Sequence, residues 1–280
     1  MRLLPIVLAP AVAVTALAAA AVAVPGATVP AMRAPQLVEA AIGPLLDGPQ
    51  RSAANRARDA YRHPVETLNF FGLKPTMTVV EITPSGGWYT EILAPFLRDH
   101  GHYYAAGSWP GTEGGAKAVA KFEAKLHADP GSYQNVTVTS FGKDHYFIAP
   151  PGSADMVVTF RNIHNFYIGG YAPDAFAAFF AALKHGGILG IEEHRLPEDK
   201  PDVMQKTSGY MKVSTVKALA EAAGFKFVAA SPVNANPKDT HDYPKGVWTL
   251  PPTYEEGDTD RAKYTAIGES DRMTLKFVKP

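Results

Sequence analysis

Two hydrophobic periods take turns along this chain. Short continuous apolar runs occur at Thr78 to Ile82, His102 to Ala106, Asp155 to Phe160, Ile188 to Glu192 and Phe225 to Ala230. Unbroken runs of this length read as strands of a parallel sheet covered on both faces. Val136 to Phe141 alternates polar with apolar and reads as a further strand, and Met273 to Val278 as the last. Between them lie stretches with helical spacing: Trp88 to Arg98, with Pro95 predicting a kink, and Thr112 to His127, closed by Pro130-Gly131. A third starts at Pro173 and places Phe176, Phe179, Phe180 and Leu183 at i, i+3, i+4 and i+7, with Gly186-Gly187 as its expected C-cap. A fourth is expected to start at an N-cap Ser214 and to end at Gly224.

Strands alternating with helices of this size predict an α/β fold, a doubly wound and mostly parallel seven-stranded sheet. No helix separates the sixth strand from the seventh, which is therefore expected to return antiparallel. The connection, residues 231–270, holds five prolines and three glycines and has no clear period. An excursion of that length is usually functional or disordered, and Trp248 and Tyr254 favour order and a role as a substrate cover. Residues 32–75 read as a linker followed by accessory helices. These are charged from Arg51 to Leu68, broken at Pro64 and ended by Gly72 and Pro75, and they are placed to lie across the main domain of residues 76–280.

The first 31 residues belong to another physical class. No charge occurs between Arg2 and Arg33, Ala11 to Ala23 is almost wholly Ala, Val and Leu, and small residues follow. This is the grammar of a secretory signal peptide, with an uncleaved anchor as the alternative. It places the globular part outside the cytoplasm, in a periplasmic setting, with no stable membrane insertion once the leader is removed. The chain has no cysteine, which excludes disulfides, thiolate catalysis and Cys-type metal sites. Lys plus Arg and Asp plus Glu balance at 27 each, so no global field points to nucleic acid, and a small-molecule partner is the expectation.

Chemistry concentrates where strands end. After the first strand come Glu81-Ile82-Thr83-Pro84-Ser85-Gly86-Gly87-Trp88, an acid followed by a small-residue turn that opens a helix. Backbone N–H groups and a helix N-terminus at such a place can hold a ligand. Glu81 is either a ligand contact or a cap for that helix. After the fourth strand come Arg161-Asn162-Ile163-His164-Asn165-Phe166-Tyr167, polar and aromatic side chains on a loop that lines the crevice of an open sheet. His164 is a candidate general base, or a satisfied loop histidine between asparagine caps. Glu192-Glu193-His194-Arg195 ends the fifth strand at the same edge, as an acid–base cluster or an ion-pair network. No His-x-x-x-His spacing appears, and no metal site is expected. His63 and Tyr61 are weaker candidates for a lid.

With these motifs in place the chain resembles the class I S-adenosylmethionine-dependent methyltransferases, and more narrowly a bacterial group of exported predicted methyltransferases. The likeness rests on Glu81 to Tyr89, Phe160 to Asn165, Leu183 to Gly190 and Gly268 to Met273, and spans roughly residues 50–280. It implies a Rossmann-like sheet, S-adenosylmethionine as cofactor, and methyl transfer to an O or N acceptor on a small molecule. The implied cofactor contacts are Glu81, Thr83, Ser85, Gly86, Gly87, Trp88, Arg161 and Asn162. The implied catalytic residues are His164, Asn165 and Tyr167. Thr83 and Ser85 stand where the superfamily places the first two glycines of its loop, and Ala105-Ala106-Gly107-Ser108 lacks the usual ribose-binding acid. Asp144 is a candidate for the adenine side. The alternative expectation is a non-catalytic ligand-binding protein on the same fold.

Overall fold

The computed structural model describes residues 41–280; the expected leader, residues 1–31, lies outside the described residues. The described chain begins with helical residues 41–46 (α1), followed by three short helices, α2 (Ala53–Arg56), α3 (Asp59–Arg62) and α4 (Pro64–Phe71). Then come β1 (Thr78–Ile82), α5 (Thr90–Leu97), β2 (His102–Ser108), α6 (Glu113–Ala128), α7 (Pro130–Tyr133), β3 (Val136–Phe141) and β4 (Ala154–Phe160). The second half runs α8 (Ile163–Ile168), α9 (Ala172–Ala182), β5 (Leu183–Leu196), β6 (Met211–Lys212), α10 (Val213–Ala222), β7 (Lys226–Ser231), α11 (Arg261–Ile267) and β8 (Arg272–Val278).

The sheet order is β3-β2-β1-β4-β5-β8-β7, with the two-residue β6 pairing β5. The strands β1 to β5 are parallel, and β8 runs antiparallel between β5 and β7. The antiparallel return is as expected from the sequence; insertion beside β5 is the added detail, and it brings the start of β8 to the carboxyl edge of the sheet. The order reverses between β1 and β4, the switch point where an open α/β sheet leaves a crevice.

Alternation along the strands builds two cores. Val80, Ile82 and Val157 face a layer containing Phe166, Phe176, Phe179 and Val216 from α8, α9 and α10. Val79, Met156 and Val158 face the other layer, with Phe71, Trp88, Tyr89, Leu93 and Phe122. Gly190 has a packing reason: a Cβ there would stand 2.7 Å from the Phe71 ring, so α4 crosses β5 only because that position is bare.

Four expectations need correction. The connection from β7 to β8 is not free of helix, since it carries the short α11 (Arg261–Ile267) just before β8. Helix α9 ends at Ala182 and the chain enters β5 at Leu183, so Leu183, not Gly186-Gly187, follows the helix, and those glycines lie within the strand. Lys212 is the N-cap of α10, and Ser214 lies inside it, donating its hydroxyl to Glu198. Residues 163–168 form a helix rather than a loop, because Glu193 of β5 accepts hydrogen bonds from the N–H groups of Ile163 and His164 and caps them from across the sheet.

The aperiodic excursion is ordered by buried polar anchors. Asp239 accepts hydrogen bonds from Tyr210 Oη (3.0 Å) and the Asp271 N–H (2.7 Å). Asn234 donates to Thr67 and Thr274, and Asp271 takes a bidentate Arg195. These contacts satisfy backbone and side-chain groups that a loop without secondary structure leaves open. Among the described residues no helix is long and apolar enough to cross a membrane.

Candidate active site

A cavity of about 480 Å³ opens at the β1/β4 switch point. Its floor is the turn after β1 (Pro84, Ser85, Gly86) and the end of β4 (Phe160, Arg161, Asn162). His164 and Asn165 of α8 and His194 of β5 form one side. Asn55, Arg58 and Arg62 of the N-terminal helices form another, and Trp248, Glu269 and Ser270 of the excursion cover it. Parts of the chain two hundred residues apart thus meet because the short helices α2 and α3 pack against the segment entering β8.

Of the cofactor residues read from sequence, Ser85, Gly86, Trp88, Arg161 and Asn162 line this cavity; Glu81, Thr83 and Gly87 do not. Of the catalytic set, His164 and Asn165 line it, whereas Tyr167 packs partly buried against the core beneath α8. Neither Tyr61 nor His63 is part of the wall; their neighbours Arg58 and Arg62 are. Asp144 lies on an exposed turn.

The turn after β1 has an informative backbone. Thr83, Ser85 and Gly87 all adopt positive φ, at 50°, 53° and 79°. A non-glycine residue there is strained by roughly 1–3 kcal/mol, a cost tolerated mainly where a site depends on the conformation. The two residues standing at glycine positions therefore keep a glycine backbone. Gly86 has ordinary φ, and a Cβ on it would meet no atom within 4 Å, so its open side faces the cavity.

Glu81 faces the opposite core. It accepts hydrogen bonds from Tyr103 Oη and from Thr90 Oγ1 at 3.2 Å and caps no helix N–H. Burial pushes its carboxyl up to about 7 against these hydroxyl donors. Asn162 donates its amide to the Ile82 carbonyl at 3.0 Å and so ties the end of β4 to the end of β1. Trp88 donates to the Asn55 carbonyl at 2.9 Å, and the guanidiniums of Arg51 (5.0 Å) and Arg62 (4.7 Å) both lie against its ring.

Glu193 does two jobs. Besides capping α8, it accepts from His164 Nδ1 at 2.9 Å and from the His194 N–H at 2.8 Å. A carboxylate against Nδ1 makes that nitrogen the protonated one and leaves Nε2 with its lone pair. His194 Nδ1 pairs with Ser270 Oγ at 2.6 Å, the two imidazoles lie 5.3 Å apart, and the Trp248 ring stands edge-on 5.9 Å from His164. Burial, then the neighbouring His164, pushes His194 well below the usual histidine range, so its ring is neutral. His164, Glu193 and His194 have potential ligand atoms within 4.8 Å of one another, a cluster that chain spacing did not reveal. Four N–H groups already occupy the Glu193 oxygens, which makes it an orienting group for His164.

Behind these residues runs a charge network. Glu269 accepts from Arg58 (2.6 Å), Arg62 (3.1 Å) and Arg272 (3.3 Å). Glu192, fully buried, accepts from Arg272 (2.8 Å), Arg161 (3.0 Å) and Tyr89 (3.1 Å). Burial would raise both acids, but the arginines override it, holding Glu192 below its usual range and Glu269 at about 2. Arg161 itself has φ 59°, a second strained residue on the cavity floor.

The part of the same edge beyond β1, toward β2 and β3, looks different. Beside Ser85, Gly107 and Ser108 there is a gap of only about 20 Å³. Just beyond the ends of β2 and β3, Trp109 stacks on His145 at 3.6 Å.

No family model matches the chain, and no curated protein matches it in sequence. Solved structures do match its architecture. An S-adenosylmethionine-dependent methyltransferase from Aquifex aeolicus superposes with TM-score 0.55 at 16% identity, covering 88% of this chain and 98% of that one. The fold is that of the S-adenosylmethionine-dependent methyltransferases. A sarcosine dimethylglycine methyltransferase-like structure from Galdieria sulphuraria matches at TM-score 0.53 and 11% identity, over 82% of this chain and 88% of that one. The cyclase SpnF matches as well, at TM-score 0.54 and 15% identity, over 87% and 94%. The methyltransferase fold thus agrees with the resemblance in the motifs, and the activity has to be argued from the cavity.

Proposed function

We propose that the protein is an S-adenosylmethionine-dependent methyltransferase that acts on an O or N nucleophile of a small molecule. The observation that carries this reading is the turn after β1, whose three glycine positions all keep left-handed backbone although two are Thr83 and Ser85. The donor set fits the cofactor. The Ser85-Gly86 backbone would lie against it, Trp88 and Asn162 would flank it, and Ser108 would offer a hydroxyl where relatives of this fold place a carboxylate. When bound, it supplies an electrophilic methyl group on a sulfonium.

The chain's own contribution is positioning and proton removal. His164 Nε2 takes the proton of the acceptor as its oxygen or nitrogen gains the methyl group, and Glu193 keeps His164 in the tautomer that allows this. His194 stays neutral beside it and adds no competing charge. Trp248 covers the pocket and limits water, and alignment of the two reactants carries most of the acceleration. His164→Asn in the full chain should lower methyl transfer by about 10²–10⁴-fold, measured as S-adenosylhomocysteine released with a panel of small acceptors. It should leave S-adenosylhomocysteine affinity within a factor of about two. An undiminished rate would remove His164 from the chemistry.

The proposal extends to export, supported by the apolar, uncharged stretch of residues 3–32 behind Arg2. A reporter enzyme active only outside the cytoplasm, fused after residue 40, should be active; an inactive fusion would place the protein in the cytoplasm.

A further inference from the structure

The cavity is over-supplied with positive charge. Arg58, Arg62, Arg161 and Arg272 meet only two carboxylates, Glu192 and Glu269. Other acids nearby are engaged elsewhere: Asp59 with Arg51, Glu91 with Lys125 and Asp271 with Arg195. With the Glu193 carboxylate beside His164 also counted, four arginines face three carboxylates, and a surplus of one positive charge remains among the described residues.

The unpaired donors are at the wall itself. Arg62 is 3% exposed and lines the cavity, yet only its Nε finds an acceptor among the described residues, Glu269. Arg58 likewise spends its Nε on Glu269, and its Nη2 is buried with no partner. Arg161 gives one terminal nitrogen to Glu192. Buried donors without acceptors are costly, and native proteins rarely leave them without a ligand or an ion to serve. Burial, then the nearby Arg161, also brings the Arg62 guanidinium down to about 9.

On the methyltransferase reading, the cofactor does not relieve this. S-adenosylmethionine carries a sulfonium and an ammonium against a single carboxylate, so its arrival makes the cavity more positive still. The missing negative charge has to come with the other substrate. We propose that the methyl acceptor is a small anion, bearing a carboxylate or phosphate group held by Arg58, Arg62 and Arg161, with its nucleophile presented to His164. Guanidinium forks are suited to such groups, which they bind with two parallel hydrogen bonds. The proposal rests on the methyltransferase reading above and gives its acceptor a chemical class.

Inorganic phosphate is the probe. The full-length chain is titrated with phosphate by calorimetry, alone and again saturated with S-adenosylhomocysteine or S-adenosylmethionine. Phosphate should bind in all three, and most tightly beside S-adenosylmethionine, whose sulfonium adds attraction. Arg62→Gln should weaken phosphate binding by about tenfold or more while S-adenosylhomocysteine binding persists, with Arg62→Lys recovering part of the loss. Arg58→Gln, at a partly exposed position, gives the same direction should the Arg62 variants fold poorly. Absence of phosphate binding, or unchanged binding in both arginine variants, overturns the proposal. So does mutual exclusion of phosphate and S-adenosylhomocysteine, since the guanidiniums would then serve the amino-acid tail of the cofactor. Phosphate binding with no binding of either cofactor form overturns the methyltransferase reading instead.

Discussion

The carboxyl edge of this sheet has two halves, and they are built to opposite rules. At the ends of β4 and β5 a buried carboxylate, Glu192, is surrounded by arginines and stays ionised below its usual range. At the end of β1 another buried carboxylate, Glu81, has only hydroxyl donors and is lifted to about 7 by burial. The first half borders a cavity of about 480 Å³; beside the second, a gap of about 20 Å³ remains and Trp109 lies stacked on His145. Equal burial thus gives unequal charge, because partners decide the protonation state. The charged half holds an open cavity with its charges fixed by partners, while the other half holds only a narrow gap, with the Trp109–His145 stack just beyond the ends of β2 and β3.

The largest effect should come from breaking the charged half. Glu192→Ala leaves Arg161 and Arg272 buried without their shared acceptor and should cost about 3–5 kcal/mol in urea unfolding. A loss below about 1 kcal/mol would show that the network is solvated and that the contrast is false.

Next comes the pH dependence of the neutral half. Burial pushes the folded carboxyl of Glu81 up to about 7, above its ordinary 4.5, so between those limits the folded state holds a proton that the unfolded state has lost. Stability from Glu81 is therefore full below about 4.5 and falls as pH rises through 7. Glu81→Gln, which cannot ionise, should gain on the wild type by up to about 3 kcal/mol between pH 5 and pH 8. Glu269 has the opposite sign: its pKa of about 2 contributes stability above 4.5 that is lost as pH falls toward 2. Parallel pH profiles for Glu81→Gln and Glu269→Gln would erase the distinction.

The smallest effect concerns the closed rings. His145→Ala removes the partner of Trp109, a stack worth about 0.5–1.5 kcal/mol, and should tighten S-adenosylhomocysteine binding by a few-fold. Weaker binding would mean that His145 helps to form the site.

What could be read in the sequence was whatever is encoded locally. The apolar runs placed β1 to β5, β7 and β8 within a few residues, apart from the longer reach of β5; the antiparallel return was legible too, although the connection carries the short helix α11 that its irregular pattern did not announce. The turn at Thr83 to Gly87 and the polar cluster at Arg161 to Asn165 were legible because strand ends announce themselves by a change of residue type. Helix α8 was not, since its cap is Glu193, thirty residues further on and on another element. The same is true of the arginine network: Arg58 and Arg62 read as a solvated helix until Glu269, more than two hundred residues away, is brought against them. Glu81 lies outside the cavity wall because strand alternation sends it with Val79 to the face opposite Val80 and Ile82, a consequence less legible than its place before the turn.

The most direct test asks whether the turn after β1 is a cofactor site. The full-length chain and its Gly86→Val variant are titrated with S-adenosylhomocysteine by calorimetry. Gly86 has ordinary backbone and free space around its missing side chain, so the valine should leave the melting temperature unchanged while projecting into the cavity. Saturable binding to the wild type that is abolished in Gly86→Val is the predicted result. No binding to the wild type at millimolar ligand, or equal binding to both, would contradict the assignment.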